Sequence, residues 1–269
     1  RMTEKEIPPL TEAEIEYEQH KPQLTILYQD DYLVAVDKPA GLFVHRSFMD
    51  KDEVYFALQL VRDLVGQYVY PVHRLDRPTS GVLLFALSKE VAQKMGEAFS
   101  HNEGSKSIQK TYYALTRGHL LDEGVIDHPL KEKLDKLGDK GVSRDKPAQE
   151  ALTHFKSMAT ASLPIPLGKY DSVRYSLIRC CPQTGRRHQL RRHLAHLRHP
   201  IIGDINYGDN KQNPFFIQHF GFKRLMLIAK ELAFIHPVTQ KKMTITADFD
   251  AQWLHVFNTL NWCEISERL

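Results

Sequence analysis

The chain has 269 residues, enough for one large domain or two small ones with a sizeable buried core. It is 42% hydrophobic and 26% charged, ordinary for a soluble globular protein, and no stretch approaches the roughly 20 apolar residues that cross a bilayer. Net charge is only +3 and the pI is near 8.6, so the total argues weakly for an anionic partner.

The first residues (Met2 to Glu6) are polar and acidic, unlike a secretory signal. Residues 1–22 carry Glu12, Glu14, Glu16 and Glu18 and read as a polar extension, too short for a domain. A hairpin is expected next: Leu24–Tyr28 and Tyr32–Val36 are rich in β-formers and flank Gln29, Asp30 and Asp31. Asp37 to Gly41 has turn composition, and Glu53–Val65 has helical spacing. Tyr68–Val72 reads as a short strand ending at His73. Val82–Leu87 is a continuous apolar run, as in a buried strand, and Ser88 caps a helix with Val91, Met95 and Phe99 on one face.

Thr111–Arg117 alternates like a strand. Residues 121–148 hold many Lys, Asp and Gly and read as a long connection or flap. Leu152–Ala159 and Ser172–Cys181 read as paired strands, and Leu190, Leu194 and Leu197 as a helix stopping before Pro200. Leu225–Ile235 and Met243–Ala247 are further strands, and Gln252–Leu260 a closing helix. Many strands, few helices and hairpin-like spacings indicate an α+β fold with a mixed, largely antiparallel sheet flanked by helices and loops. Three cysteines, two of them adjacent (Cys180, Cys181), make no disulfide framework and point to a reducing, cytoplasmic setting.

Charge is concentrated in one block. Thr184 to His199 holds five arginines, four histidines and no acid. A solvated helix face would account for an average charge run, but here leucines recur at helical spacing, so one face packs while the other offers arginine to phosphates. The histidines (His188, His193, His196, His199) also invite a zinc reading. Yet there is no His-Glu-x-x-His and no Cys-x-x-Cys, so no metal site is expected. Gly203-Asp204 and Tyr207-Gly208 read as turn residues.

One loop can carry chemistry: His73-Arg74-Leu75-Asp76-Arg77-Pro78-Thr79-Ser80-Gly81, between two apolar strands. Arginines on both sides of Asp76 favour its ionised form, a competent nucleophile or base. By spacing alone, a turn-capping, salt-bridged Asp76 fits the pattern more economically.

The string resembles the signature of the RluA-type pseudouridine synthases, in which the aspartate of H-R-L-D-x-x-T-S-G is catalytic. Other blocks match in the expected order: Val36 to Gly41 with His45; Lys110-Thr111-Tyr112-Tyr113-Ala114-Leu115 with Gly118; Thr184 to His193 with Pro200 to Asp204; and Arg224-Leu225-Met226-Leu227 with His236-Pro237. The likeness spans about residues 24–247. One departure is Ile228-Ala229, where the family has His-Ala; that position is expected to pack. Within the family, Val44 to Ser47, Arg77 to Thr79, Arg192 to Pro200 and Gly208 to Asn213 resemble the branch acting on uridine 65 of tRNA.

The resemblance implies a single catalytic domain over residues 23–269 without an additional S4 domain, an RNA partner (tRNA foremost), no cofactor, and conversion of uridine to pseudouridine. It makes Asp76 the central residue, attacking the sugar or taking a sugar proton. Arg191 is expected to pair bidentately with Asp76, and Tyr112 to stack on a flipped-out uracil or relay the C5 proton. Arg74 is expected to hold the flipped RNA, and Leu227 and Ile202 to wall the uracil pocket. Lys38, Arg186, Arg187, His188 and Arg192 are candidates for phosphate contact, while Tyr113, on the opposite strand face, is structural. The alternatives are the same chemistry on ribosomal RNA or another tRNA position, an inactive RNA-binding module, and a hydrolase using Asp76 with a histidine-bound metal.

Overall fold

The computed structural model describes residues 9–12, 15, 19, 21–41, 56–100, 107–132 and 146–269. Most of the glutamate run, the motif residues from Val44 to Ser47, the start of the helix expected at Glu53 and the middle of the 121–148 connection lie outside the described residues. Among the described residues no helix is long and apolar enough to cross a membrane.

Ten strands form one sheet. These are β1 (Thr25–Gln29), β2 (Leu33–Lys38), β3 (Tyr70–Pro71), β4 (Ser80–Ala86), β5 (Ile108–Arg117), β6 (Glu123–Asp127), β7 (Leu152–Leu163), β8 (Val173–Pro182), β9 (Leu227–Ile235) and β10 (Lys242–Thr246). The order is β1-β2-β4-β9-β5-β8-β7-β6, with β10 on β9 and β3 on β4. All pairings are antiparallel except β4 with β9. The mixed, largely antiparallel sheet is therefore as expected.

Strands β2 and β4 are buried on both faces, which explains their unbroken apolar runs. Val34, Val36, Leu83 and Phe85 pack under helix α1 (Ala57–Val65), while Leu33, Ala35, Val82 and Leu84 pack under helix α2 (Lys89–Ser100). Each Val, Leu or Phe side chain removed from water here contributes about 2 kcal/mol, Ala35 less. The Ser88 hydroxyl accepts from the Val91 N–H at 3.3 Å, starting α2 where the sequence indicated. A third cluster joins β5, β8 and β9 to helices α3 (Gln189–His196), α4 (Gln212–Phe220) and α5 (Ala251–Thr259), with Trp253 and Phe257 at its centre. A short helix, α6 (Cys263–Ser266), follows.

Several elements differ from expectation. The connection 121–148 contains β6, whose pairing with β7 runs from Glu123–Lys156 to Asp127–Leu152. The expected strand at Tyr68 shrinks to Tyr70–Pro71. Helix α4 was not anticipated, although Pro214 in its first turn and Gly221 just past its end are ordinary helix punctuation. Strand β9 begins at Leu227 rather than Leu225, because the Met226 N–H donates instead to the Ile202 carbonyl at 2.9 Å.

The parallel step between β4 and β9 seats the Asp76 loop. Ser80 pairs with Ile228 and Gly81 with Ala229. Gly81 has φ +118°, and a Cβ there would sit 2.1 Å from the Ala229 carbonyl oxygen. Gly81→Ala is therefore expected to cost at least ~2 kcal/mol, through both backbone strain and lost strand contact. Denaturant unfolding should show a lowered midpoint; a variant of wild-type stability would contradict this close approach.

Candidate active site

The Asp76 loop is pinned from below. Lys38, at the end of β2, is fully buried, and its ammonium donates to the carbonyls of Pro39 (2.9 Å) and Arg77 (2.8 Å). The Gly41 N–H also donates to the Arg77 carbonyl, and Arg77 Nε donates back to the Gly41 carbonyl. Burial pulls the Lys38 pKa down to about 7, against an upward pull from Asp76. Lys38 thus holds the loop and does not reach phosphate, a correction to its expected role. Burial was the information that charge alone could not supply.

Asp76 turns the chain, its carbonyl accepting the Thr79 N–H at 2.9 Å, and its carboxylate faces a cleft of 260 Å³. The cleft is lined by Arg74, Lys110, Arg186, Arg187 and Arg191 against one carboxylate, Asp76. Five cations around one acid favour an anionic ligand. The remaining lining includes Tyr112, Leu227, Val72, Phe99 and Pro182, so part of the wall is apolar and aromatic. Tyr112 stands opposite a β-bulge: the β5–β9 register steps from Thr111–Glu231 to Tyr112–Ala229, so the extra residue is Lys230 of β9 and β5 keeps its alternation. Burial first, and then the Asp76 charge, raise its phenol pKa above the ordinary value. Tyr112 is therefore a neutral phenol at neutral pH. Tyr113 points to the other face, edge-on to Phe249 at 5.7 Å, as expected of a structural residue.

Arg191 differs from expectation in a way that matters. Its bidentate partner is Asp204, with Nε to Oδ2 at 2.9 Å and Nη2 to Oδ1 at 2.8 Å. Asp76 receives the remaining nitrogen, Nη1, at 3.8 Å from Oδ2. The side chains of Arg191 and Asp204 are 4% and 0% exposed. Asp204 also accepts the N–H groups of Asn206 and Tyr207, so it makes the expected turn and anchors the arginine as well. Burial alone would raise the Asp204 pKa; the Arg191 bonds and charge, with the two backbone donors, bring it below the ordinary carboxylate value.

The rest of the basic block divides. Arg186 and Arg187 line the cleft. Arg192 instead donates to the carbonyls of Arg187 and Lys131, bracing the loop, so its expected phosphate role is not what the geometry offers. His188 lies beside Asp76, and burial lowers its pKa to about 4, so any phosphate contact it makes would be through a neutral ring. Ile202 is 1% exposed and belongs to the core rather than to the cleft wall, since its N–H and carbonyl bridge Leu115 and Met226. Leu227 does line the cleft.

The histidines once open to a zinc reading have separate partners. His193 lies between Thr153 Oγ1 (2.8 Å) and the His128 carbonyl (2.9 Å), His196 stacks on His128 at 3.7 Å, and His199 bonds the Arg117 carbonyl at 2.8 Å.

A family model described as RNA pseudouridylate synthase matches residues 32–196. The chain belongs to the RNA pseudouridylate synthase family. A protein named tRNA pseudouridine synthase C, from Pasteurella multocida (strain Pm70), is 54% identical over 239 residues, covering 89% of this chain and 97% of that protein. One of the same name from Vibrio cholerae serotype O1 is 51% identical, covering 90% and 97%. The solved structure of human RNA pseudouridylate synthase domain containing 4 has a TM-score of 0.63 at 27% identity, covering 88% of this chain and 92% of that one.

For a pseudouridylate synthase the unusual Ile228 is readily accommodated: it is 1% exposed and packs in the core. Three residues of the site were not singled out from the sequence. Asp204 is one. Gln189 is the second: its Oε1 accepts from Thr184 Oγ1 and the Arg186 N–H, and its Nε2 donates to the Leu152 carbonyl and Thr153 Oγ1. All four of its bonds are made, which ties the arginine loop to β7. Lys110 is the third, a cation in the cleft whose pKa burial lowers. Its position, two before Tyr112 on the same strand face, was a usable signal.

Asp204→Asn should leave Arg191 buried without its counter-charge, costing about 3–5 kcal/mol. Because the Asp204 pKa is lowered on folding, its contribution is present above the ordinary carboxylate range and is lost as pH falls below it. Unfolding measured from pH 7 to pH 3 checks both points: the gap between wild type and variant should narrow towards acid. A constant gap would contradict this linkage.

Proposed function

We propose that this pseudouridylate synthase isomerises uridine 65 of tRNA to pseudouridine, with Asp76 as its essential catalytic group. The observation that carries the reading is the placement of Asp76, the sole carboxylate among the described residues lining a cationic cleft, beside an aromatic ring and an apolar wall. A flipped-out uridine needs such a setting: cations for its phosphates, a ring face for its base and a carboxylate for its sugar. The high identity to proteins named tRNA pseudouridine synthase C supports tRNA as the substrate. Residues 23–269 form the catalytic unit in this reading, and the cytoplasm is its setting.

The reaction breaks the bond from ribose C1′ to uracil N1, turns the base, joins C1′ to C5 and releases the C5 proton. Substrate and product are isomers, so atoms balance without a co-substrate. Asp76 attacks the sugar or takes a sugar proton; Arg191 sets a positive charge beside the carboxylate and aims it. Tyr112 stacks on the freed uracil and, as a neutral phenol, can relay the C5 proton. Leu227 supplies the apolar wall, and Arg74, Arg186 and Arg187 meet the displaced backbone.

Tritium release from tRNA labelled at uridine C5 tests this reading. Wild type should release tritium, and Asp76→Asn should lose at least ~10³-fold in rate. RNA affinity should change by less than about threefold, since the cations dominate binding. Sequencing the product should place pseudouridine at position 65. Release from ribosomal RNA alone would overturn the substrate, and no release from any RNA would leave an RNA-binding module.

A further inference from the structure

Asp76 sits in a closed circuit of contacts, and two of its members, His188 and Tyr207, have no role in the reaction as described. The two oxygens of the carboxylate face different donors: Oδ2 faces Arg191 Nη1 at 3.8 Å and Oδ1 faces His188 Nε2 at 3.9 Å. The other ring nitrogen of His188, Nδ1, lies 2.8 Å from the Tyr207 hydroxyl. The Tyr207 N–H donates to Asp204 Oδ1 at 3.1 Å, and Asp204 returns to Arg191 through its two bonds. The Tyr207 ring also lies 5.4 Å from the Arg191 guanidinium carbon.

We propose that His188 is a positioning residue for Asp76, a neutral imidazole whose Nε2–H tautomer is fixed by the Tyr207 hydroxyl and aimed at the carboxylate. This inference rests on the function proposed above.

Three observations support it. First, His188 has φ 54°, a left-handed conformation that is uncommon outside glycine, at the N-cap of α3. Its side chain makes no capping bond there, so helix capping does not explain the unusual backbone. Second, the charges around it are fixed. Arg191 and Arg187 oppose a second positive charge, Asp76 and Asp204 favour one, and burial tips the balance to the neutral ring. A neutral imidazole carries a single N–H. Third, only one arrangement satisfies both neighbours. With the proton on Nε2, Nδ1 accepts the Tyr207 O–H and Nε2–H points at Asp76. With the proton on Nδ1, the Nε2 lone pair would face a carboxylate oxygen, which is repulsive.

The consequence is rotational. Arg191 touches one oxygen of Asp76 and would allow the carboxylate to turn about its Cβ–Cγ bond. A second donor on the other oxygen fixes the carboxylate plane, and with it the lone pair offered to the ribose. Both contacts exceed hydrogen-bond length here. They are of the kind that tightens when substrate displaces water.

The test uses the full chain, tRNA labelled at uridine C5 for single-turnover rates, filter binding for affinity, and ¹⁵N NMR of histidine-labelled protein for the tautomer. Wild type should show a neutral Nε2–H imidazole at pH 7. Tyr207→Phe, a change at a half-buried ring, should let both tautomers populate and slow the single-turnover rate roughly 10-fold, with affinity unchanged. His188→Asn, which tolerates a left-handed backbone but is too short to reach Asp76, should lose roughly 100-fold in rate. His188→Gln, which restores a donor N–H at greater reach, should regain part of that loss. The proposal is overturned if Tyr207→Phe keeps the wild-type rate, if the losses fall on affinity rather than rate, or if wild-type His188 carries its proton on Nδ1. If wild type releases tritium from no RNA, the proposed function fails, and the spectrum alone still decides the tautomer.

Discussion

The buried pair between Arg191 and Asp204 is the constraint on which the site depends. A guanidinium withdrawn from water needs a carboxylate at close range, and two parallel bonds fix its plane as well as its charge. Once Asp204 has taken Nε and Nη2, only Nη1 is left to face Asp76. The arginine is thereby prevented from collapsing onto the Asp76 carboxylate. Asp76 gains a positive neighbour without being consumed by it, which a nucleophile or base requires. Arg–carboxylate geometry is specific enough that lysine in place of Arg191 would lose the plane.

The pair can act only because the sheet brings two distant parts of the chain together. Asp76 enters from the β4 side, and Arg191 from the helix that follows β8, with Asp204 in the turn beyond it. Strand β9 lies between them, pairing with β4 through two residues and with β5 along most of its length. Arg224, just before β9, reinforces that junction by donating to the Ser80 hydroxyl at 3.0 Å and to Asp250 at 2.6 Å. Gly203 lies equally close to its neighbour: a Cβ there would meet the Arg224 carbonyl oxygen at 1.8 Å. The turn holding Asp204 is thus fitted to the segment that opens β9, and the two halves of the site are set by backbone contact rather than by side chains alone.

How much of this was legible in the sequence follows from which signals are local. The hairpin of β1 and β2, the buried run of β4 and the leucines of α3 show periods that any single stretch reveals, and all appear as expected. Strand β6 was hidden because its exposed edge is polar and its neighbours are rich in Lys, Asp and Gly. Helix α4 was hidden because Phe215, Phe216 and Phe220 give it no clean apolar face and Pro214 reads as a breaker. In the site, the motif residues Asp76, Tyr112, Arg191 and Leu227 do converge on one cleft. Lys38, Arg192 and Ile202 do not play their expected parts, because sequence reports a residue's charge and type but not its burial. The competition between Asp204 and Asp76 for Arg191 is a tertiary fact with no local trace.

The most direct measurement of the central claim is a crystal structure of the Asp76→Asn protein bound to an RNA hairpin carrying the target uridine. The account predicts the uridine flipped into the cleft, its base against Tyr112 and Leu227, and its ribose at residue 76. Arg191 should still hold Asp204 through two bonds, with Nη1 drawn to residue 76 at about 2.7–2.9 Å. An Arg191 that leaves Asp204 to bind a phosphate, or a uridine still stacked in its helix, would contradict the account.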